Sequence, residues 1–283
     1  MSTRSRSNLK VLTKNALLSR KEWLDSINNQ VEVPEYIPSD PVSFMHAFDR
    51  KEDQLLAGFF AAIMAWGRRD IVLSKVHDLL SRMDYHPEAF IRGYSDADFH
   101  HLQGFRHRTF TAEDVNGLVR CLQQALHHYG DFESFWKYVY LKAGESGLHL
   151  MDLFHDEFFG LVPETPARTR KHIASKKKKS TCKRLWLFLR WSLRKNSVVD
   201  PGLMDFMPVS ELMIPFDVHV ARQARRLGLL GRKQNDWLAL QELHKRLCIL
   251  NPQDPARYDY ALFGLGVMKL NVPAEYLLNP KAE

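Results

Sequence analysis

The chain has 283 residues, 45% apolar and 26% charged, with a net charge of +7. That length supports a large core as one domain or two closely packed ones, and the composition is that of an ordinary soluble globular protein. No uncharged apolar run reaches the roughly 18 residues a membrane span requires. Three cysteines, Cys121, Cys182 and Cys248, are widely spaced with no CxxC, which excludes a disulfide framework or a sequence-local metal centre and points to a reducing, cytoplasmic compartment.

The first 21 residues carry Arg4, Arg6, Lys10, Lys14, Arg20 and Lys21 with no acid before Glu22, and residues 1–20 read as a mobile basic arm. Apolar residues then recur at helical spacing almost everywhere, so the fold class is all-α. Helices are expected over Gln54–Trp66, Asp70–Leu80 after Gly67, Thr111–Tyr129, Phe132–Ala143, Gly147–Phe159, Lys183–Arg194, Asp217–Gly228, Asp236–Leu250 and Ala256–Met268. Thr111-x-x-Asp114 has the form of a capping box, and prolines 163, 166, 201, 208, 215, 252 and 255 mark boundaries. A helical domain over 21–160 would precede a second over 161–283, with a cleft where they meet.

The charge is concentrated. From Thr165 to Val199 there are twelve Lys or Arg residues and no acid, and removing them leaves the rest of the chain at −5. Such a stretch fits a phosphate-binding surface, through Lys176, Lys177, Lys178, Lys179, Ser180 and Arg184. A solvated face of an interaction protein has the same composition.

Immediately after the lysine run, Lys183 opens a helix that is apolar around nearly its whole circumference, which marks it as buried. A lysine at that boundary loses solvation beside other cations, and both effects favour the neutral, nucleophilic amine. A lysine snorkelling at the core edge has the same spacing. Downstream, Pro215-Phe-Asp217-Val-His219 places Asp217 at a helix N-cap, where a carboxylate can also face developing positive charge. Asp259 and Phe263 lie one turn apart on a late helix, as an acid and an aromatic able to grip a flat heterocycle or as a helix-terminal acid beside a core residue.

Together these elements resemble the helix-hairpin-helix DNA glycosylase superfamily, in which a hairpin precedes a helix with a catalytic lysine and a Pro-x-Asp-x-His helix start follows. The separation of 34 residues between Lys183 and Asp217 is most similar to the archaeal 8-oxoguanine glycosylase branch, whose acid–aromatic pair Asp259 and Phe263 match with Phe in place of Trp. The whole chain is also similar to a bacterial group with an Ala-Trp-Gly-Arg-Arg stretch, here Ala65–Arg69, and no assigned activity. The superfamily hairpin is glycine-rich, whereas Ser175–Cys182 holds four lysines and no glycine, so grip there would rest on side-chain charge.

The resemblance implies two packed helical domains and a DNA N-glycosylase of base excision repair with AP lyase activity. Lys183 and Asp217 would be catalytic, and Asp259, Phe263 and Trp66 would bind an oxidised purine such as 8-oxoguanine. The implied partner is double-stranded DNA containing a damaged base, bound by a monomer with no cofactor, metal or membrane. A non-catalytic DNA-binding protein of the same fold is the alternative.

Overall fold

The computed structural model describes residues 9–281. It is 63% helix, and strand is confined, among the described residues, to a ribbon pairing Arg106–His107 with Phe110–Thr111. The protein is therefore all-α, and no described helix is long and apolar enough to cross a membrane.

The chain forms two compact units. One comprises the described parts of Met1–Val33, Lys179–Lys183 and Val209–Glu283; the other comprises Pro34–Lys178 and Arg184–Pro208. Arg4 and Arg6 of the expected arm lie outside the described residues. From residue 9 on, the segment is docked rather than mobile. The Leu9 and Leu12 amides donate to the Gly231 and Gly228 carbonyls, Thr13 caps a short helix over Lys14–Leu18, and Leu17 is fully buried.

In this first unit the helix Tyr258–Phe263 packs on Lys21–Val31 and on Val218–Arg226. Gly264 makes the first approach possible, because a Cβ there would stand 2.5 Å from Val31 Cγ2. The expected single helix over Ala256–Met268 is three segments: a 3₁₀ turn Pro255–Arg257, the α-helix Tyr258–Phe263 and a π-helical turn Gly264–Met268. Periodicity read the apolar residues as one stripe. The two glycines allow backbone contact that the regular helix does not, and the turn widens there.

The second unit is built on an aromatic core. Phe59 meets Phe132 at 5.2 Å and Phe188 at 5.6 Å, both edge-on, and Trp136 stacks on Phe154 at 3.9 Å. The helices Lys51–Met64, Phe132–Ser146, Leu150–Gly160 and Lys183–Leu193 supply these rings, and Ala112–Tyr129 packs beside them. The Thr111–Asp114 capping box is present as expected. Its carboxylate also takes bonds from the Thr169 hydroxyl and the Arg168 guanidinium, both at 2.8 Å, which ties Ala167–Arg170 to the same helix.

Two members of the basic stretch belong to this core. Arg190 and Arg194, both 2% exposed, face the buried carboxylate of Asp200. Burying guanidinium charge is tolerable only with such pairing. Asp200→Asn is expected to lower unfolding free energy by at least about 3 kcal/mol in urea titration, because two buried cations lose their carboxylate.

Candidate functional site

Asp217 has extended backbone and caps Val218–Arg226. Its two oxygens are used separately. Oδ1 accepts from the His219 and Val220 amides, each at 2.9 Å, and Oδ2 accepts from Lys183 Nζ at 3.2 Å. The cap fixes the carboxylate's orientation, so the second oxygen is held toward the amine rather than free to turn to water. The Lys183 side chain is 34% exposed and that of Asp217 13%, so the amine remains reachable while the acid is largely enclosed.

The segment leading to Lys183 reaches this geometry without glycine. Lys179 at φ +60° and Cys182 at φ +53° both occupy the left-handed region. A non-glycine residue there costs on the order of 1 kcal/mol. The Ser180 hydroxyl accepts from the Cys182 amide at 3.1 Å, and the Thr181 hydroxyl donates to the Phe216 carbonyl at 3.3 Å. That last bond links the residues just before Lys183 to the residue just before Asp217, so the two functional groups are set by adjoining backbone. Sequence reasoning missed Thr181, whose partner lies 35 residues away with no local signal.

Asp259 and Phe263 share the helix that packs on Val218–Arg226. Asp259 is 5% exposed and Phe263 half-buried. The π-helical turn that follows meets the start of the Asp217 helix closely, since a Cβ on Gly266 would stand 3.1 Å from His219 Cβ. Gln223 Nε2 donates to the Leu265 carbonyl at 3.4 Å in the same contact.

The lysine run divides between the units. Lys176–Lys178 is a 3₁₀ turn of the second unit, anchored by Asp152, whose Oδ1 accepts from the Ser175 hydroxyl at 2.7 Å and the Lys177 amide at 2.8 Å. Lys177 Nζ pairs with Asp156 at 2.6 Å, and Lys177, Lys178 and Lys179 are exposed. Ser180 and Lys179 belong with Lys183 in the first unit.

Trp66 and Arg184 are in the second unit. Arg184 donates to the Ile63 carbonyl at 2.5 Å, and its Cζ lies 4.9 Å from the centre of the Trp66 ring. Burial lowers the Arg184 guanidinium to about 10. The indole also meets two buried imidazoles, His107 edge-on at 4.5 Å and His172 stacked at 6.1 Å. Burial holds His172 down to about 4, outweighing the opposing pull of Asp114, and burial also lowers His107. Neither histidine is flagged by spacing, because 65 residues separate them.

The class defined by these observations is an all-α protein in which a helix-opening lysine faces a helix-capping aspartate. The chain belongs to the family described as Protein of unknown function (DUF2400), whose family model matches residues 40–268. No curated protein and no solved structure gives a significant match.

The two roles of Asp217 separate by substitution. Asp217→Ala removes the cap and should cost about 1 kcal/mol in chemical unfolding, whereas Asp217→Asn keeps an acceptor for the His219 and Val220 amides and should cost clearly less. For His172, unfolded imidazole takes up a proton below pH 6.5 that the folded state refuses until about pH 4, so stability falls as pH drops through that window. His172→Phe should reduce the loss between pH 7.5 and 5 by roughly 1–2 kcal/mol, read from urea midpoints at the two pH values.

Proposed function

We propose that this chain is a DNA N-glycosylase of base excision repair with an accompanying AP lyase step, acting on an oxidised purine such as 8-oxoguanine in double-stranded DNA. The observation that carries the reading is the 3.2 Å approach of Lys183 Nζ to Asp217 Oδ2, with the other carboxylate oxygen committed to the helix cap. The resemblance to helix-hairpin-helix DNA glycosylases supports it, as does the lysine-rich segment directly ahead of Lys183.

In this reading a glycosylase-like arrangement presents the amine to the sugar of an extruded nucleotide. The ion-paired amine first gives up a proton, and Asp217 Oδ2 is the acceptor within reach. The nitrogen lone pair then forms a bond to C1′ while the C1′–N9 bond breaks, and the departing base takes that electron pair and the proton held on Asp217 Oδ2. With that proton passed on, the Asp217 carboxylate at the helix N-terminus faces the positive charge developing on the sugar. The C1′–O4′ bond then breaks, O4′ keeping its electron pair and taking the second proton from nitrogen, which leaves a protonated imine; loss of a C2′ proton with expulsion of the 3′ phosphate then cuts the strand by β-elimination. The amine supplies the nucleophile, so the proposed chemistry requires no cofactor. Asp259 and Phe263 are the proposed base contacts, and Lys179 and Ser180 the proposed backbone contacts, all in the same unit as Lys183 and Asp217. A monomer in the cytoplasm or on the nucleoid suits this role.

The test is free-base release, measured chromatographically, from a panel of lesion-containing duplexes. Wild type should release at least one oxidised purine, with Lys183→Ala and Asp217→Asn each reducing the rate by about 100-fold or more. Release from no lesion in the panel, or undiminished release by both variants, would contradict the proposal.

A further inference from the structure

The ribbon Arg106–Thr111 of the second unit has a feature that folding alone does not require. Its turn has two residues, Arg108 and Thr109, and Arg108 sits at φ +55°. Left-handed backbone at the first turn position of a two-residue hairpin is ordinarily supplied by glycine, asparagine or aspartate. Arginine there is strained, and strain of this kind collects where a side chain is needed for function.

The surroundings show where that side chain lies. A Cβ on Gly67 would stand 2.5 Å from Arg108 Nη1, so the glycine of the Ala65–Arg69 stretch leaves the space the guanidinium occupies. Arg168 holds the tip from the other side, donating to the Thr109 carbonyl at 3.3 Å while paired with buried Asp114. Arg106 Nε donates to the Arg108 carbonyl at 3.0 Å, bracing the turn from within. Arg106, Arg108 and Lys171 are exposed, and none of the three is ion-paired to an acid among the described residues. Glu113, at the ribbon's base, is bonded to the Thr111 hydroxyl. The two imidazoles beneath report the same field: beyond the effect of burial, Arg108 and Lys75 press on His107, and Arg184, Lys171 and Arg168 on His172.

We propose that this arginine ribbon is a phosphate-binding element for a nucleic-acid backbone, separate in the fold from the Lys183 segment. Two exposed guanidiniums on a braced turn can each contact a phosphate by paired N–H donors, and no base-reading geometry is needed for such contacts. The inference rests on the DNA-partner reading above, but not on base release.

The experiment is fluorescence anisotropy of the full chain with a labelled undamaged duplex of about 20 base pairs, titrated at several salt concentrations. Arg106→Ala/Arg108→Ala should weaken binding about tenfold or more and flatten the slope of log affinity against log salt by about 1.8. Arg108→Gly, which relieves the backbone, should weaken binding while leaving Tm unchanged or raising it by about 2 °C. Wild-type affinity and slope in the double variant, with binding lost instead in Lys178→Ala/Lys179→Ala, would overturn the ribbon while the DNA reading stands. Failure of wild type to bind the duplex, including binding only to anionic phosphatidylglycerol vesicles, would overturn both. A fall of several degrees in Tm for Arg108→Gly with unchanged duplex affinity would make the arginine a structural staple and end the proposal.

Discussion

The divided carboxylate of Asp217 is the constraint on which the candidate site depends. A carboxylate facing a lysine at a protein surface is ordinarily a weak and mobile pair. Here Oδ1 is committed to two amides of the helix it caps, so Oδ2 has one orientation, toward Lys183 Nζ at 3.2 Å. The Thr181 hydroxyl, two residues before Lys183, donates to the carbonyl of Phe216, the residue before Asp217. Behind the cap, Gly266 lets the π-helical turn approach the first turn of the Asp217 helix, and Gly264 seats the same segment against Val31. The acid is thus positioned by helix capping, a bond between segments and glycine-dependent packing. Each of the three involves main-chain groups, so the position of the acid depends on the course of the backbone.

Charge in this protein has two different uses that composition merges. Within the acid-free stretch, Arg190 and Arg194 are interior groups balanced by Asp200, and Arg168 is tied to buried Asp114. Lys177 is paired at the surface with Asp156. The exposed members of the stretch left without an ion pair among the described residues are few: Lys171 and Lys178 in the unit of the ribbon arginines, and Lys179 ahead of Lys183 in the other.

Most of the helical order was legible from the sequence because it rests on local rules. The Thr111–Asp114 box, the Asp217 cap and the helix opening at Lys183 are all signalled by residues within four positions of one another. The juxtaposition of Lys183 with Asp217 was reached only through resemblance, since nothing local connects residues 34 apart. Other features rest on contacts that no window contains. The break of the last helix at Gly264 comes from its approach to Val31, and the burial of Arg190 and Arg194 comes from Asp200 beyond the helix end. The ribbon is two residues a side, too short for alternation to register. The glycine-free segment before Lys183 turns because Lys179 and Cys182 adopt left-handed conformations themselves.

The proposed covalent bond between the Lys183 amine and sugar carbon C1′ is tested most directly by borohydride reduction during reaction with lesion-containing duplex, followed by proteolysis and mass mapping of the adduct. The expected result is one reduced adduct on the peptide containing Lys183, absent in Lys183→Ala. No adduct from wild type under conditions of base release, or an adduct that persists in Lys183→Ala, would contradict it.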